Sequence, residues 1–204
     1  SVSCRVFCKG TQKIAPTYST GECGVTCPRN SEIEHLKEIE RIIRVDHAGE
    51  LGAINIYKSQ LLISRYLYKD IVQELSEMLA HEKEHFETFD NLLKARSIRS
   101  CYALWFWACG GFLLGLFTAL MGRNAIWVCT NAIETTVLHH LSWQLNFLSK
   151  HDAEAHGAVY SIKADEEAHQ YIGASRGKKY FIYKPIFFVV AGSTKVAIWL
   201  STKL

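Results

Sequence analysis

Two stretches of the chain carry the same pattern of acids and histidines at the same spacing, and that pattern leaves few folds open. Glu50 precedes Glu82-Lys-Glu-His85 by 32 positions, and Glu134 precedes Glu166-Glu-Ala-His169 by 32 as well. The copies are displaced by 84 residues, with Ala48-Gly-Glu50 aligned on Ala132-Ile-Glu134. In a helical hairpin, residues equidistant from the turn lie side by side. The midpoints fall at positions 66 and 150, so a turn near each would set each lone glutamate across from its Glu-x-x-His. At i and i+3 on a helix, the glutamate and histidine project from one face and can share a metal ion.

Hydrophobic periodicity places turns where the spacing needs them. A helix is predicted from Ser31 to Tyr66, opened by Ser31 and Glu34 in a capping-box pattern. A second, from Asp70 to Arg96, shows the stripe Ile71, Leu75, Met78, Leu79, Glu82, Phe86, Phe89 and Leu93. Two more run from Asn124 to Ser149 and from Ala153 to Arg176. The short connections make antiparallel hairpins of helices one and two and of helices three and four. Proline, which breaks helices, is absent from Arg29 to Lys184.

The predicted fold is all-α: a ferritin-like four-helix bundle of two antiparallel hairpins. It gathers four carboxylates and two imidazoles, the donor set of bundles that bind a pair of iron or manganese ions. With 15 glutamates and 9 histidines in 204 residues, chance supplies roughly 0.7 Glu-x-x-His matches, so one match is weak evidence. Glu32-x-x-His35 is read as such a coincidence on a solvent face. Two matches with equal partner offsets, on apolar stripes where unpaired charge is costly, are not. The predicted ligands are Glu50, Glu82, His85, Glu134, Glu166 and His169, holding two iron ions.

Around them the sequence leaves alternatives. Asp46 and His47, one turn before Glu50, are placed to hydrogen-bond the ligands, or His47 is an ordinary helix-face residue. Tyr57 reads as a core aromatic before a cavity residue. His139 and His140 lie off the Glu134 face and are not read as ligands. Gly49 and Gly52 leave space for a substrate or permit close helix packing.

Two apolar segments flank the scheme. Residues 100–122 carry no charge over 23 positions, a transmembrane candidate by length. Yet the segment joins hairpins that must meet at one centre, and a single crossing would put half the ligands on each side. Gly110-Gly111 therefore predicts two short helical pieces dipping into one leaflet, with Arg96, Arg99 and Arg123 at lipid headgroups; a buried crossover helix is the other reading. The stretch 180–204 is also apolar, interrupted by Lys184, Lys195 and Lys203. Such surfaces suit a long, lipid-like substrate.

Residues 1–30 read as a flexible leader ahead of a 31–204 domain. Residues 1–21 are basic, rich in Ser and Thr and free of acids, as mitochondrial transit peptides are, and the start at Ser1 points to a trimmed or partial chain. Cys4, Cys8, Cys23 and Cys27 belong to this leader or form a zinc site. The seven cysteines are odd in number and no disulfide framework is read from them. A net charge of +3 is too small for a nucleic-acid partner.

Arg44-Val-Asp-His-Ala-Gly-Glu-Leu-Gly-Ala53, with Ile56-Tyr57 and Gln60 after it, resembles the signature of the demethoxyubiquinone hydroxylases. Glu82-Lys-Glu-His85, Cys129-Thr130, Glu134, His139-His140 and Asp165-Glu-Glu-Ala-His169 resemble the rest of that pattern in order. The resemblance covers about residues 35 to 204. It implies an O2-dependent di-iron monooxygenase that hydroxylates the ring of a polyprenyl demethoxy-quinone in ubiquinone biosynthesis, with NADH as reductant. It also implies a peripheral place on the matrix side of the mitochondrial inner membrane and a lipid-binding partner protein. Many members carry tyrosine after the His-His pair, where this chain has Leu141, and Asn131 and Thr135 beside Glu134 also depart. A di-iron quinol oxidase and a ferritin-like iron-handling protein are the alternatives on the same bundle.

Overall fold

Helix-forming sequence without internal proline does fold as helices. A computed structural model of the protein describes residues 30–177 and 181–203. Residues 1–29 of the leader, with its four cysteines, and the start of the C-terminal segment at Tyr180 lie outside the described residues, while Asn30, read as leader, opens the first helix. The described residues form six α-helices and no strand: α1 (Asn30–Leu67), α2 (Val72–Ala95), α3 (Leu104–Leu120), α4 (Arg123–His151), α5 (Ala153–Arg176) and α6 (Lys184–Ser201). Single turns of 3-10 helix lead into α2 and α6. The four helices predicted from periodicity are α1, α2, α4 and α5, with ends displaced by about two residues at most. Ser31 is not a cap, because the helix is already formed at Asn30. At the start of α5 the Asp152 side chain does form a cap, accepting the Ala155 N–H at 2.9 Å.

Apolar faces of α1, α2, α4 and α5 meet in two clusters. Ile43, Phe89, Leu148 and Val159 pack toward one end, and Leu61, Leu75, Met78 and Ile126 toward the other. Between these lies the level of Glu50, Glu82, Glu134 and Glu166, a polar layer sealed above and below by hydrocarbon.

The segment expected as two short pieces is one continuous helix, α3. Gly110-Gly111 does not break it because the glycines serve packing instead. A β-carbon on Gly111 would overlap the Gly52 backbone, and one on Gly115 would overlap Ser59 and Ile56. Gln60 Nε2 donates to Thr118 Oγ1 at 3.2 Å farther along. Residue numbers rise together on both helices, so α3 runs parallel to α1. In the same way α6 runs parallel to α4, with Val190 beside Cys129 and Ile133, and Thr202 beside His139 and Trp143. Each half is thus a hairpin followed by an apolar helix laid along its first member, and the repeat extends past the ligands. Gly122, with φ of 114°, turns the chain from α3 into α4 in a conformation that favours glycine.

The charged ends of α3 do not all face outward as expected. Arg96 is held by Asp152 at 2.5 and 3.0 Å and by Glu154 at 2.6 Å, tying α2 to α5. Arg123 pairs with Asp70 at 3.0 Å and lies over the Tyr68 ring. Arg99 remains solvent-facing, with Tyr102 as its side-chain partner.

Candidate metal centre

All six predicted ligands are brought together. The 32-residue offset sets Glu50 of α1 beside Glu82 of α2, and Glu134 of α4 beside Glu166 of α5. Each of the six is at most 7% exposed. They form two groups, Glu50, Glu82, His85 and Glu166, and Glu82, Glu134, Glu166 and His169, with one ligand atom of each residue within 4.8 Å of the others in its group. Glu82 and Glu166 belong to both, so each Glu-x-x-His glutamate stands between the two positions. Each also faces the other hairpin's histidine: Glu166 Oε1 lies 3.2 Å from His85 Nδ1, and Glu82 Oε1 lies 3.1 Å from His169 Nδ1.

The donors are poorly satisfied by one another. Glu82 Oε1, Glu166 Oε2, His85 Nδ1 and His169 Nδ1 meet one another only in ion-pair contacts of 3.1–3.8 Å, without hydrogen-bond geometry. Burial, then the charges of Glu82 and Glu166, pushes Glu50 well above the usual carboxylate range. Burial and the same two charges do so for Glu134. Burial opposes the His169 charge, but the Glu166 and Glu82 carboxylates beside it prevail and raise it to about 9. Burial would raise Glu166, yet the imidazoles of His169 and His85 beside it hold it low. Hard carboxylate oxygens with two imidazole nitrogens fit divalent first-row metals, and two cations would neutralise the crowded charge. The cluster can hold metal.

The outer contacts differ from those expected. Asp46 accepts a 2.7 Å hydrogen bond from Gln144, and burial lifts its carboxyl to about 7. His47 stacks on Phe86 at 4.3 Å and stands 3.4 Å from Asp90. Neither hydrogen-bonds a ligand. That role falls to two residues the sequence reading missed. Asp165 Oδ2 lies 3.2 Å from His85 Nε2, and His81 Nδ1 lies 3.1 Å from His169 Nε2. The available signal was position: each stands immediately before the glutamate of a Glu-x-x-His. Tyr57, read as a core aromatic, is buried and also donates to Glu134 Oε1 at 3.1 Å. Glu32 and His35 lie apart, with the His35 ring against His151 at 4.0 Å. His139 is exposed and His140 half-buried, and neither joins the metal-holding groups.

A cavity of about 310 Å³ opens beside Glu50 and Glu134 and extends between α1, α3, α4 and α6, past Trp107, Leu114, Val137 and Ile198. The two glycines divide the roles expected of them. A β-carbon on Gly49 would meet nothing within 4 Å, leaving cavity space, whereas Gly52 lies against α3. Outside, α3 exposes Trp105, Leu113 and Phe117, and α6 exposes Phe188, Val189 and Trp199. By length and composition α6 could cross a bilayer, while α3 is shorter.

The model of the family described as Ubiquinone biosynthesis protein COQ7 matches residues 37–201. The chain is 38% identical over 179 residues to the NADPH-dependent 3-demethoxyubiquinone 3-hydroxylase, mitochondrial, of Dictyostelium discoideum, covering 85% of this chain and 82% of the relative. It is 35% identical over 170 residues to the 3-demethoxyubiquinol 3-hydroxylase of Rhodospirillum rubrum, covering 81% and 78%. Against the human protein of the first name, identity is 32% over 175 residues, covering 81% and 78%.

Proposed function

The chain belongs to the COQ7 family of ubiquinone-biosynthesis proteins, and from that premise we propose that it is the monooxygenase hydroxylating the ring of a polyprenyl demethoxy-quinone or its quinol with O2. The observation that carries the reading is a single cavity, with Glu50, Glu82, Glu134 and Glu166 at one end and the apolar helices α3 and α6 along its sides.

Glu50, Glu82, His85, Glu134, Glu166 and His169 would hold two iron ions, Glu82 and Glu166 serving both. Iron held there would supply the redox chemistry that lets O2 react, with the reducing equivalents drawn from the nicotinamide reductant. The protein's own part is positioning and exclusion of water. Asp165 and His81 fix the ligand histidines through their outer nitrogens. Tyr57 holds Glu134. Hydrocarbon clusters above and below the polar layer keep water from the ligands, and the apolar cavity wall orients the quinone ring with its tail toward α3 and α6.

Exposed Trp105, Leu113, Phe188 and Trp199 suit attachment to a membrane surface, or to a lipid-binding partner protein that presents the substrate. Relatives named mitochondrial support the organelle, and a peripheral place on the matrix side of its inner membrane is our proposal. We read residues 31–204 as its domain and 1–30 as a leader. Those relatives' names specify NADPH, so NADPH is the first reductant to test and NADH the second. An iron-storage protein would present a polar, cage-forming exterior, which the apolar faces of α3 and α6 do not offer. The test is turnover by iron-loaded protein with a demethoxy-quinone and NADPH. A hydroxylated product supports the reading, and O2 consumption with the quinone skeleton unchanged favours a quinol oxidase.

A further inference from the structure

The repeat that places the six ligands also relates the residues behind them, and there the two halves differ. Positions 81 and 165 are 84 apart, and each side chain reaches across to the other half's ligand histidine. Behind His85 stands the carboxylate of Asp165, 3.2 Å away. Behind His169 stands the imidazole of His81, its Nδ1 3.1 Å from His169 Nε2 and its ring nearly coplanar with the ligand's, the ring centres 5.3 Å and the planes 9° apart. Positions 57 and 141 are related by the same 84. Tyr57 donates its hydroxyl proton to Glu134, whereas Leu141, lining the cavity with Glu50, has no donor to give.

Both differences act in one direction. An imidazole that donates its outer N–H to a carboxylate becomes a more basic ligand. With Nδ1 on a metal, His169 carries its remaining proton on Nε2, which faces His81 Nδ1, an imidazole nitrogen rather than a carboxylate, and such a partner adds less. The phenol proton of Tyr57 draws charge from the glutamate oxygen that a metal needs. Glu82 and Glu166 serve both positions, so they do not offset the imbalance.

Resting on the two-metal reading of the cluster, we propose that His81 is the positioning residue of His169, and that the site is unequal: the Glu50–His85 position holds its ion more tightly than the Glu134–His169 position. Anaerobic titration of metal-free full-length protein with Co(II), followed by visible absorption, tests this. Wild type should take two ions in two resolved steps. His81→Leu should weaken the second step about 10–100-fold, the usual effect of removing an outer partner, and leave the first unchanged. His81→Asp, which gives this half the carboxylate of the other, should draw the steps together. Damage to the fold would move both steps at once, so the selective loss identifies positioning. Two ions in a single step, or a His81→Leu effect that is equal on both steps or missing, overturns the proposal while leaving the metal site standing. No Co(II) binding by wild type would remove the metal reading and the inference with it.

Discussion

The backbone of α3 at Gly111 rests on the carbonyl of Gly52 in α1, with no room for a β-carbon between them. This contact lies two residues beyond Glu50 and joins the first hairpin to the apolar helix that walls the cavity. Gly111→Ala should therefore cost about 1–3 kcal/mol through overpacking, read as a lower Tm. Gly110→Ala, where a β-carbon meets nothing within 4 Å, should be neutral or stabilise by less than about 1 kcal/mol. Equal effects at the two positions would contradict the packing described.

Glu166 belongs to both metal-holding groups and Glu134 to one. Wild type should carry about two irons per chain. Glu166→Ala should lose nearly all of it, and Glu134→Ala should retain about one ion. Circular dichroism should remain helical in both, because hydrocarbon clusters above and below the polar layer hold the helices together. Elemental analysis checks the counts, and iron-free wild type with full activity would sink the assignment.

Much of this was legible in sequence because one constraint acts twice. The offset of 32 and the helical period together fix which faces of α1, α2, α4 and α5 meet. The apolar helices were harder to read. In isolation Gly110-Gly111 looks like a break, and only the neighbouring Gly52 shows that it is a packing surface. Arg96 looked like a headgroup ligand because Asp152, its partner, is 56 residues away. The same blindness to long-range contacts hid His81 and Asp165, whose partners lie on the opposite hairpin. Asp46, adjacent in sequence to the ligands, was the more visible candidate and turned out to pair with Gln144.

Iron binding should release protons. In the metal-free protein, burial and neighbouring charges keep Glu50 and Glu134 protonated above the usual carboxylate range, and His169 keeps its proton up to about 9. Metal requires these groups deprotonated, so affinity should climb with pH toward about 9. The sign for the metal-free fold is opposite. Raised values contribute stability at low pH that is lost as pH rises through them, while Glu166, held low, counteracts this by losing its contribution only in acid. Loaded and metal-free melting temperatures should thus diverge from acid toward alkaline pH. A pH-independent gap would contradict the electrostatics.

Substituting glutamate for Trp105, Phe106 and Leu113, all exposed on α3, should shift the protein from sedimented vesicles to the supernatant. Tyr160→Glu on α5, also exposed, should not. The separation rests on about 25 cal/mol per Å² of apolar surface removed from water. Equal behaviour of the two variants would show that α3 does not carry the attachment.

The central claim is that the paired carboxylate site transfers oxygen to a quinone ring held in the adjoining cavity. The most direct measurement supplies iron-loaded protein with a demethoxy-quinone, NADPH and isotopically labelled O2, and locates the label by mass spectrometry. One labelled hydroxyl oxygen should appear on the ring, and Glu82→Ala and His169→Ala should abolish it. Label found only in water or peroxide, with the ring unchanged, would contradict the account.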